Sequence, residues 1–285
     1  MHISDTSTKI FLDSGDPSHT QEVLARLGFL DGQTTNPSLV AQSEIIKELQ
    51  AGGKLSQDQL LAGYQSIVER IHNYIPNGSI SIEVYADANT TAQEMIDQAH
   101  TMRAWLPNPH IKLPITVAGL EAARQLVDEG TNVNMTLCFT QGQAWAVHLA
   151  TLGAKPGQVC VSPFIGRLDD RGIDGVSLVK NISQMYREAG SHVAVLAASI
   201  RSLEHISLSV YAGADILTIP YKLFAPWAEH NFTVMEDMSV DMPEREMIEY
   251  QNLDTVTNWH DMDITHELTD TGLQKFADDW NAIMS

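Results

Sequence analysis

The chain has 285 residues, 44% of them hydrophobic, which is enough for one large α/β domain with a substantial core. Its formal charge of −19, from 36 acidic and 17 basic residues, speaks against nucleic acid and anionic membrane as partners, since both require a basic surface. The opening "MHISDTSTKI" lacks an apolar signal core, no run is long enough to span a bilayer, and Cys138 and Cys160 form neither a CxxC nor a disulfide-rich pattern, so a soluble cytoplasmic protein with two buried, reduced thiols is expected.

Along the chain, short β-type runs alternate with runs of helical period. The strand candidates are "KIFLD" (9–13), "FLDGQTT" (29–35), "ISIEV" (80–84), "HIKL" (110–113), "NVNMTL" (132–137), "VCVSPF" (159–164), "HVAVLAAS" (192–199) and "DILTIP" (215–220). Residues 38 to 74 are expected to hold two helices, broken near "AGGK". "TVAGLEAARQLVDEG" sets Leu120, Ala123 and Val127 on one face and stops at Gly130. "DGVSLVKNISQMYREAG" sets Val176, Val179, Ile182 and Tyr186 at helical spacing and stops at Gly190. Eight strands alternating with helices predict a closed parallel (β/α)8 TIM barrel over residues 1–228. An open doubly wound sheet is the alternative, but no GxGxxG or GxxxxGK[ST] loop supports it.

Residues 229–285 form an acidic extension, 14 acids against Arg245 and Lys275, and so hold −12 of the total charge. The extension closes on "ELTDTGLQKFADDWNAIMS", where Leu273, Phe276, Trp280 and Ile283 share a helical stripe. The prediction is an amphipathic helix docked on the barrel with its acids in water, in preference to a lid over the site. His260 and His266, with Asp261 and Asp263, have the residue types of a metal site, yet their spacing fits no HExxH or EF-hand template, so no metal is expected. His148 reads as packing or surface, and the methionines between 235 and 247 as docking contacts or an exposed loop.

Chemistry in such a barrel sits at the C-terminal ends of the strands. Those ends offer Asp13, Asn36, Glu83, Lys112, Asn134 with Thr136, Ser162, and Ser199 followed by Arg201, so every strand but the last supplies a polar group. Any one of them alone is a turn former or cap, as Asn36 before Pro37 would be. Together they predict one pocket. Apolar walls around Lys112 disfavour its charged form and free the amine for attack on a carbonyl. The competing reading is a lysine that snorkels to solvent or pairs with a carboxylate. Asp13 and Glu83 are candidate acid/base groups for carbinolamine chemistry, or else charge partners of Lys112 and the arginines. Arg167 and Arg201, beside Ser162 and Ser199, suit a phosphate monoester, or else neutralise Asp169 and Asp170.

"DGQTTNPSLV", "IKLPITVAGLEAARQL", "NVNMTLCFTQGQA" and "VSPFIGRLDDRG" resemble successive motifs of the transaldolase and fructose-6-phosphate aldolase family, with "LDSGDP", "AASIRSLEHI" and "AGADILTIP" in keeping. The likeness runs from about residue 9 to 224, with a weaker echo in "TDTGLQKFADDW". It implies a (β/α)8 barrel with no metal and no organic cofactor, and a Schiff base between Lys112 and a ketose phosphate. By the same resemblance Asp13 is the acid/base on the substrate hydroxyl, and Glu83 works through a water that Thr136 helps to hold. Asn36, Asn134 and Ser162 bind the dihydroxyacetone portion, and Arg167, Ser199 and Arg201 bind phosphate. Glu83 and Phe164 stand where the aldolase branch of the family tends to carry Gln and Tyr. Phenylalanine cannot donate a proton to the enamine, which favours transfer over release of free dihydroxyacetone. The expectation is therefore a transaldolase. An aldolase on the same site and a catalytically idle sugar-phosphate-binding barrel are the alternatives. The expected partners are sugar phosphates and, in a homo-oligomer, further copies of the chain.

Overall fold

A parallel sheet is covered on both faces, and here the strands are largely buried even where polar residues alternate with apolar ones, as in "SISIE" and "NVNMTLC". A computed structural model describes residues 1–235 and 244–284. Strands β1 (Lys9–Asp13), β2 (Gly32–Thr34), β3 (Ser79–Glu83), β4 (His110–Pro114), β5 (Asn132–Cys138), β6 (Val159–Pro163), β7 (Ala194–Ala197) and β8 (Ile216–Pro220) pair in parallel, each with the next. The sheet closes through β1 and β8, from Lys9 opposite Ile216 to Asp13 opposite Pro220. The chain is a (β/α)8 TIM barrel with a C-terminal helix, Glu267–Asn281.

All eight predicted strands are present, with two shortened. β2 begins at Gly32 because Asp31 turns inward, its carboxylate accepting from the Ile10 amide at 2.8 Å. A Cβ at Gly32 would strike the Phe11 ring and the Ser79 carbonyl. β7 ends at Ala197, and Ser199 beyond it takes a left-handed backbone (φ 57°) that no strand continues. The segment from 38 to 74 holds three helices rather than two, Pro37–Ala41, Glu44–Gln50 and Gln57–Tyr74. The extra break comes from Ser43, whose hydroxyl accepts from the Ile46 amide and starts a new helix. The second break falls at "AGGK", as the glycines predict.

On helix Val117–Asp128, Leu120, Ala123 and Val127 are buried; on helix Gly175–Ala189, Val179, Ile182 and Tyr186 are buried and Val176 is half-exposed. Cys138 and Cys160 are buried free thiols, and burial pushes both up to about 12. Among the described residues no helix is long and apolar enough to cross a membrane.

The acidic extension runs against the barrel's outer helices, tied by buried side-chain amides. Glu246–Met247 pairs in parallel with Ile173–Asp174. Asn181 then donates to the Ile248 carbonyl (2.8 Å), Gln141 exchanges hydrogen bonds with the Gln251 backbone (2.8 and 3.2 Å), and the Trp145 indole donates to Val256 (3.0 Å). An extended chain without a full ladder must satisfy its backbone in some such way. Met247 is exposed, whereas Met238 and Met242 lie outside the described residues. His148 packs, stacked on Trp145. His266 caps the C-terminal helix by accepting from the Leu268 amide at 3.1 Å, and His260 bonds Asn258. Leu273, Phe276, Trp280 and Ile283 are all buried, at about 1.5–3 kcal/mol each.

Candidate active site

Alternation along β4 sends Ile111 and Leu113 toward the helices and Lys112 into the barrel. In register, Glu83 on β3 faces Lys112, and Lys112 faces Asn134 on β5. Parallel pairing therefore sets these three side chains in one row. Lys112 is 3% exposed and Glu83 4%; the Lys112 Nζ lies 2.8 Å from Glu83 Oε2 and donates to the Thr35 carbonyl at 3.4 Å. The approach to Glu83 is an ion pair by distance but too oblique for a hydrogen bond, which leaves Oε2 without one. Lys112 is thus buried and paired with a carboxylate, and it does not snorkel to solvent.

Burial raises the Glu83 carboxyl above its ordinary range, opposed by the Lys112 charge. Asp13 behaves alike: burial raises it, while Lys112 and the Thr34 hydroxyl, donating at 2.7 Å, act the other way. Beneath Glu83 lies a hydroxyl chain. The Thr35 hydroxyl donates to the Ser81 carbonyl (2.8 Å), so Tyr64 OH donates to Thr35 (2.5 Å) and accepts from the Glu83 amide (2.9 Å).

A cavity of about 240 Å³ opens above Lys112. Of the predicted residues, Asp13, Asn36, Lys112, Ser162, Phe164, Arg167, Ser199 and Arg201 line it. Glu83, Asn134 and Thr136 form the layer behind. Ser162 donates to Asn134 at 2.7 Å, and Asn134 donates to Ser81 at 3.1 Å. Thr136, opposite Pro114, is fully buried with its hydroxyl unpartnered among the described residues. Asn36 also keeps its structural role, since its side-chain oxygen accepts from the Leu39 amide at 2.9 Å and caps helix Pro37–Ala41.

The two arginines separate. Arg201 forks onto Asp170 at 2.9 and 3.3 Å, so the charge-neutralising reading holds for it. Arg167 lies between the rings of Phe164 and Phe276, at 5.2 and 5.6 Å, with no ion pair or hydrogen bond among the described residues. Burial lowers its pKa. A partly desolvated cation with open donors, facing a cavity, is arranged for an anion.

Several lining residues were not expected. The last strand does contribute: Thr218 lines the cavity and bonds Thr34 at 2.6 Å, which corrects the reading that β8 offers nothing. Its signal was the alternation in "ILTIP", with Thr218 between two core residues. Lys275 and Phe276 arrive from the C-terminal helix, so that helix walls the cavity as well as docking. Gly272 on the same helix makes room for Arg167, where a Cβ would collide with the guanidinium and Leu137. A larger groove of about 1220 Å³ between residues 87–92, 116–121 and this helix is lined by carboxylates and holds no buried nucleophile.

The fold and site together are a parallel eight-stranded barrel with an inward, carboxylate-paired lysine at its C-terminal mouth, the end where barrel enzymes carry their chemistry. The family model described as transaldolase/fructose-6-phosphate aldolase matches residues 10–285, so the match spans the acidic extension and not only the 9–224 stretch where the motifs lie. A probable transaldolase of Dehalococcoides mccartyi is 38% identical over 225 residues, covering 79% of this chain and 92% of that one. Probable transaldolases of Anaeromyxobacter dehalogenans (39% over 225 residues, 79% and 91% covered) and Cereibacter sphaeroides (37% over 234, 82% and 93%) are similar to it as well. Among solved structures, the thiamine phosphate pyrophosphorylase of Pyrococcus furiosus gives a TM-score of 0.45 at 9% identity, covering 79% of this chain and 97% of that one. The chain belongs to the transaldolase/fructose-6-phosphate aldolase family. As a member it is a transferase of aldol chemistry.

Proposed function

We propose that this protein is a transaldolase that carries a dihydroxyacetone unit on Lys112, taking it from a ketose phosphate such as fructose 6-phosphate or sedoheptulose 7-phosphate and passing it to an aldose phosphate. The observation that carries the reading is the Lys112–Glu83 pair at 2.8 Å, out of water, beneath a cavity that also presents Arg167, which has no ion pair among the described residues. Glu83, lifted by burial, is within reach of the Lys112 proton. The freed amine lone pair attacks the ketose C2, and the oxygen leaves as water from the carbinolamine, giving an iminium. Asp13 takes the C4 hydroxyl proton, the C3–C4 bond breaks, its electron pair enters the enamine, and the shortened aldose phosphate departs. An incoming aldehyde then takes the enamine carbon, and water releases the new ketose.

The unpartnered Thr136 hydroxyl and Glu83 Oε2 are the two groups a bridging water would satisfy during those steps. In this scheme Asn36, Asn134 and Ser162 hold the hydroxyls of the three-carbon unit, and Arg167, Ser199 and Arg201 hold the phosphate. Phe164, edge-on to Phe139, supplies no proton at the rim, so the enamine persists until an acceptor arrives. The test is borohydride reduction with fructose 6-phosphate and peptide mass mapping. A stable adduct on Lys112 is expected, and an unmodified Lys112 in active protein would overturn the mechanism. Steady formation of free dihydroxyacetone without any acceptor aldehyde would assign simple cleavage instead.

A further inference from the structure

The segment that carries Ser199 and Arg201 is held from behind. Ser199 is left-handed at φ 57°, a conformation that persists in a serine only where surroundings enforce it. On one side Gly166 donates to the Ser199 carbonyl at 3.0 Å, and a Cβ there would collide with that carbonyl and the Arg201 stem. On the other side the Arg201 amide donates to His205 Nδ1 at 3.2 Å. That donor assigns the tautomer: the ring proton sits on Nε2, which lies 2.7 Å from Asp169 Oδ2, a close polar contact whose angle falls short of a hydrogen bond. Asp169 is in turn met by Arg245 at 3.2 Å, a residue of the acidic extension. His205 and Asp169 are both buried, their side chains 4% and 8% exposed, and neither lines the cavity.

We propose that His205, braced through Asp169 by Arg245 of the extension, is a positioning residue that fixes the backbone of Ser199 and Arg201 for a phosphate-class anion. The proposal rests on the anion site of the function proposed above, and extends it to residues that touch no substrate. Charge balance supports it. Asp170 already forks onto the Arg201 guanidinium, so an incoming anion competes for that cation, and the donors win only if their backbone is already set. The extension would thereby tune the affinity of a site that it does not enter at this point.

The experiment titrates inorganic phosphate calorimetrically into the full chain and into His205→Ala, His205→Gln and Arg245→Ala, with borohydride trapping of free dihydroxyacetone in parallel. Loss of one buried hydrogen bond corresponds to about ten-fold in affinity, so His205→Ala should weaken phosphate by that much, and trapping of the anion-free ligand should move less than about two-fold. Glutamine offers an acceptor and a donor at similar reach and should recover phosphate affinity to within about three-fold of the parent. Arg245→Ala should fall between the two. If His205 only caps its helix, His205→Ala lowers the melting temperature and leaves phosphate affinity alone, which overturns the proposal. Equal losses for phosphate and dihydroxyacetone, or no recovery in His205→Gln, overturn it too. Should His205→Ala fail to fold, an Arg245→Ala variant with unchanged phosphate affinity does the same. Parent protein that binds phosphate with these ratios but forms no Lys112 adduct would sink the proposed reaction and leave this inference standing.

Discussion

Glu83 and Lys112 face each other across β3 and β4, and their charged ends meet at 2.8 Å with almost no contact with water. Neither group has a substitute partner of opposite charge at that distance among the described residues. Lys112→Ala therefore leaves a buried carboxylate alone and should destabilise the fold by about 3 kcal/mol at neutral pH. The sign follows from Glu83. Its folded pKa is already raised above 4.5 by burial, and Lys112 is the group that opposes the rise. Without Lys112 the rise grows, so the variant's deficit deepens as pH climbs above 4.5 and shrinks in acid. Urea titrations at pH 4.5 and 7.5 check this, and a deficit independent of pH would contradict it. Lys112→Arg keeps a cation and should spare stability, yet be as inactive as Lys112→Ala because a guanidinium does not give up its proton.

Asp13→Asn separates activity from stability in the opposite sense. Burial raises the folded pKa of Asp13 above 3.8, so its contribution is fully present below that value and is lost as pH rises through the folded pKa. At pH 7.5 the neutral amide should raise the melting temperature by about 2–4 °C, on the order of 1 kcal/mol, while turnover falls by about a hundred-fold or more. A variant that melts lower at pH 7.5 than the parent would count against this account.

Acid should weaken the fold through two histidines distant from the chemistry. Burial pushes His110 and His148 down to about 4 from 6.5. The unfolded chain takes up protons near 6.5 and the folded chain resists, so their stabilisation is complete above 6.5 and is lost as pH falls toward 4. With allowance for partial exposure the two together give a loss on the order of 2 kcal/mol. Replacing both by asparagine should flatten that limb of the stability profile, and an unaltered profile would refute the assignment.

Phe164→Tyr should convert transfer toward cleavage. A phenol at that rim position supplies the proton that phenylalanine lacks, so release of free dihydroxyacetone without acceptor should rise by about ten-fold, measured by enzymatic assay of the triose. No rise would mean that the residue at 164 does not govern the fate of the enamine.

Gly272→Ala tests whether the C-terminal helix belongs to the anion pocket. The added Cβ meets the Arg167 guanidinium and Leu137. Overpacking of this kind costs about 1–3 kcal/mol, and the strain falls on Arg167. KM for the phosphorylated donor should rise several-fold, and a change confined to stability would assign the glycine to packing alone.

The barrel was legible because short β-type runs alternate with helices that keep one face and stop at glycines. The row Glu83, Lys112, Asn134 was legible because a period of two sends alternate strand residues inward and chemistry in this fold lies at strand ends. Thr34 and Thr218 escaped notice since threonine is an ordinary strand former whose hydroxyl gives no sign of its partner. Tyr64, Lys275 and Phe276 were hidden for another reason. Each reaches the site from a helix, Tyr64 from the one before β3 and the other two from the end of the chain, and helical spacing marks which face is buried without saying what it meets. Asp169 and Arg245 share that difficulty, being joined only by the path of the extension.

Gln141 and Asn181 turn their amides onto a passing strand of backbone, and Gln143 reaches both the Ile264 carbonyl and the Thr269 hydroxyl. Cut away after residue 228, the barrel would keep every strand but leave these amides stranded in greasy surroundings, each lacking the mate it was shaped for. A shortened version should consequently come out of cells clumped or digested, however complete its catalytic inventory looks on paper. Supplying the missing piece as a separate peptide is the natural way to bring it back into solution.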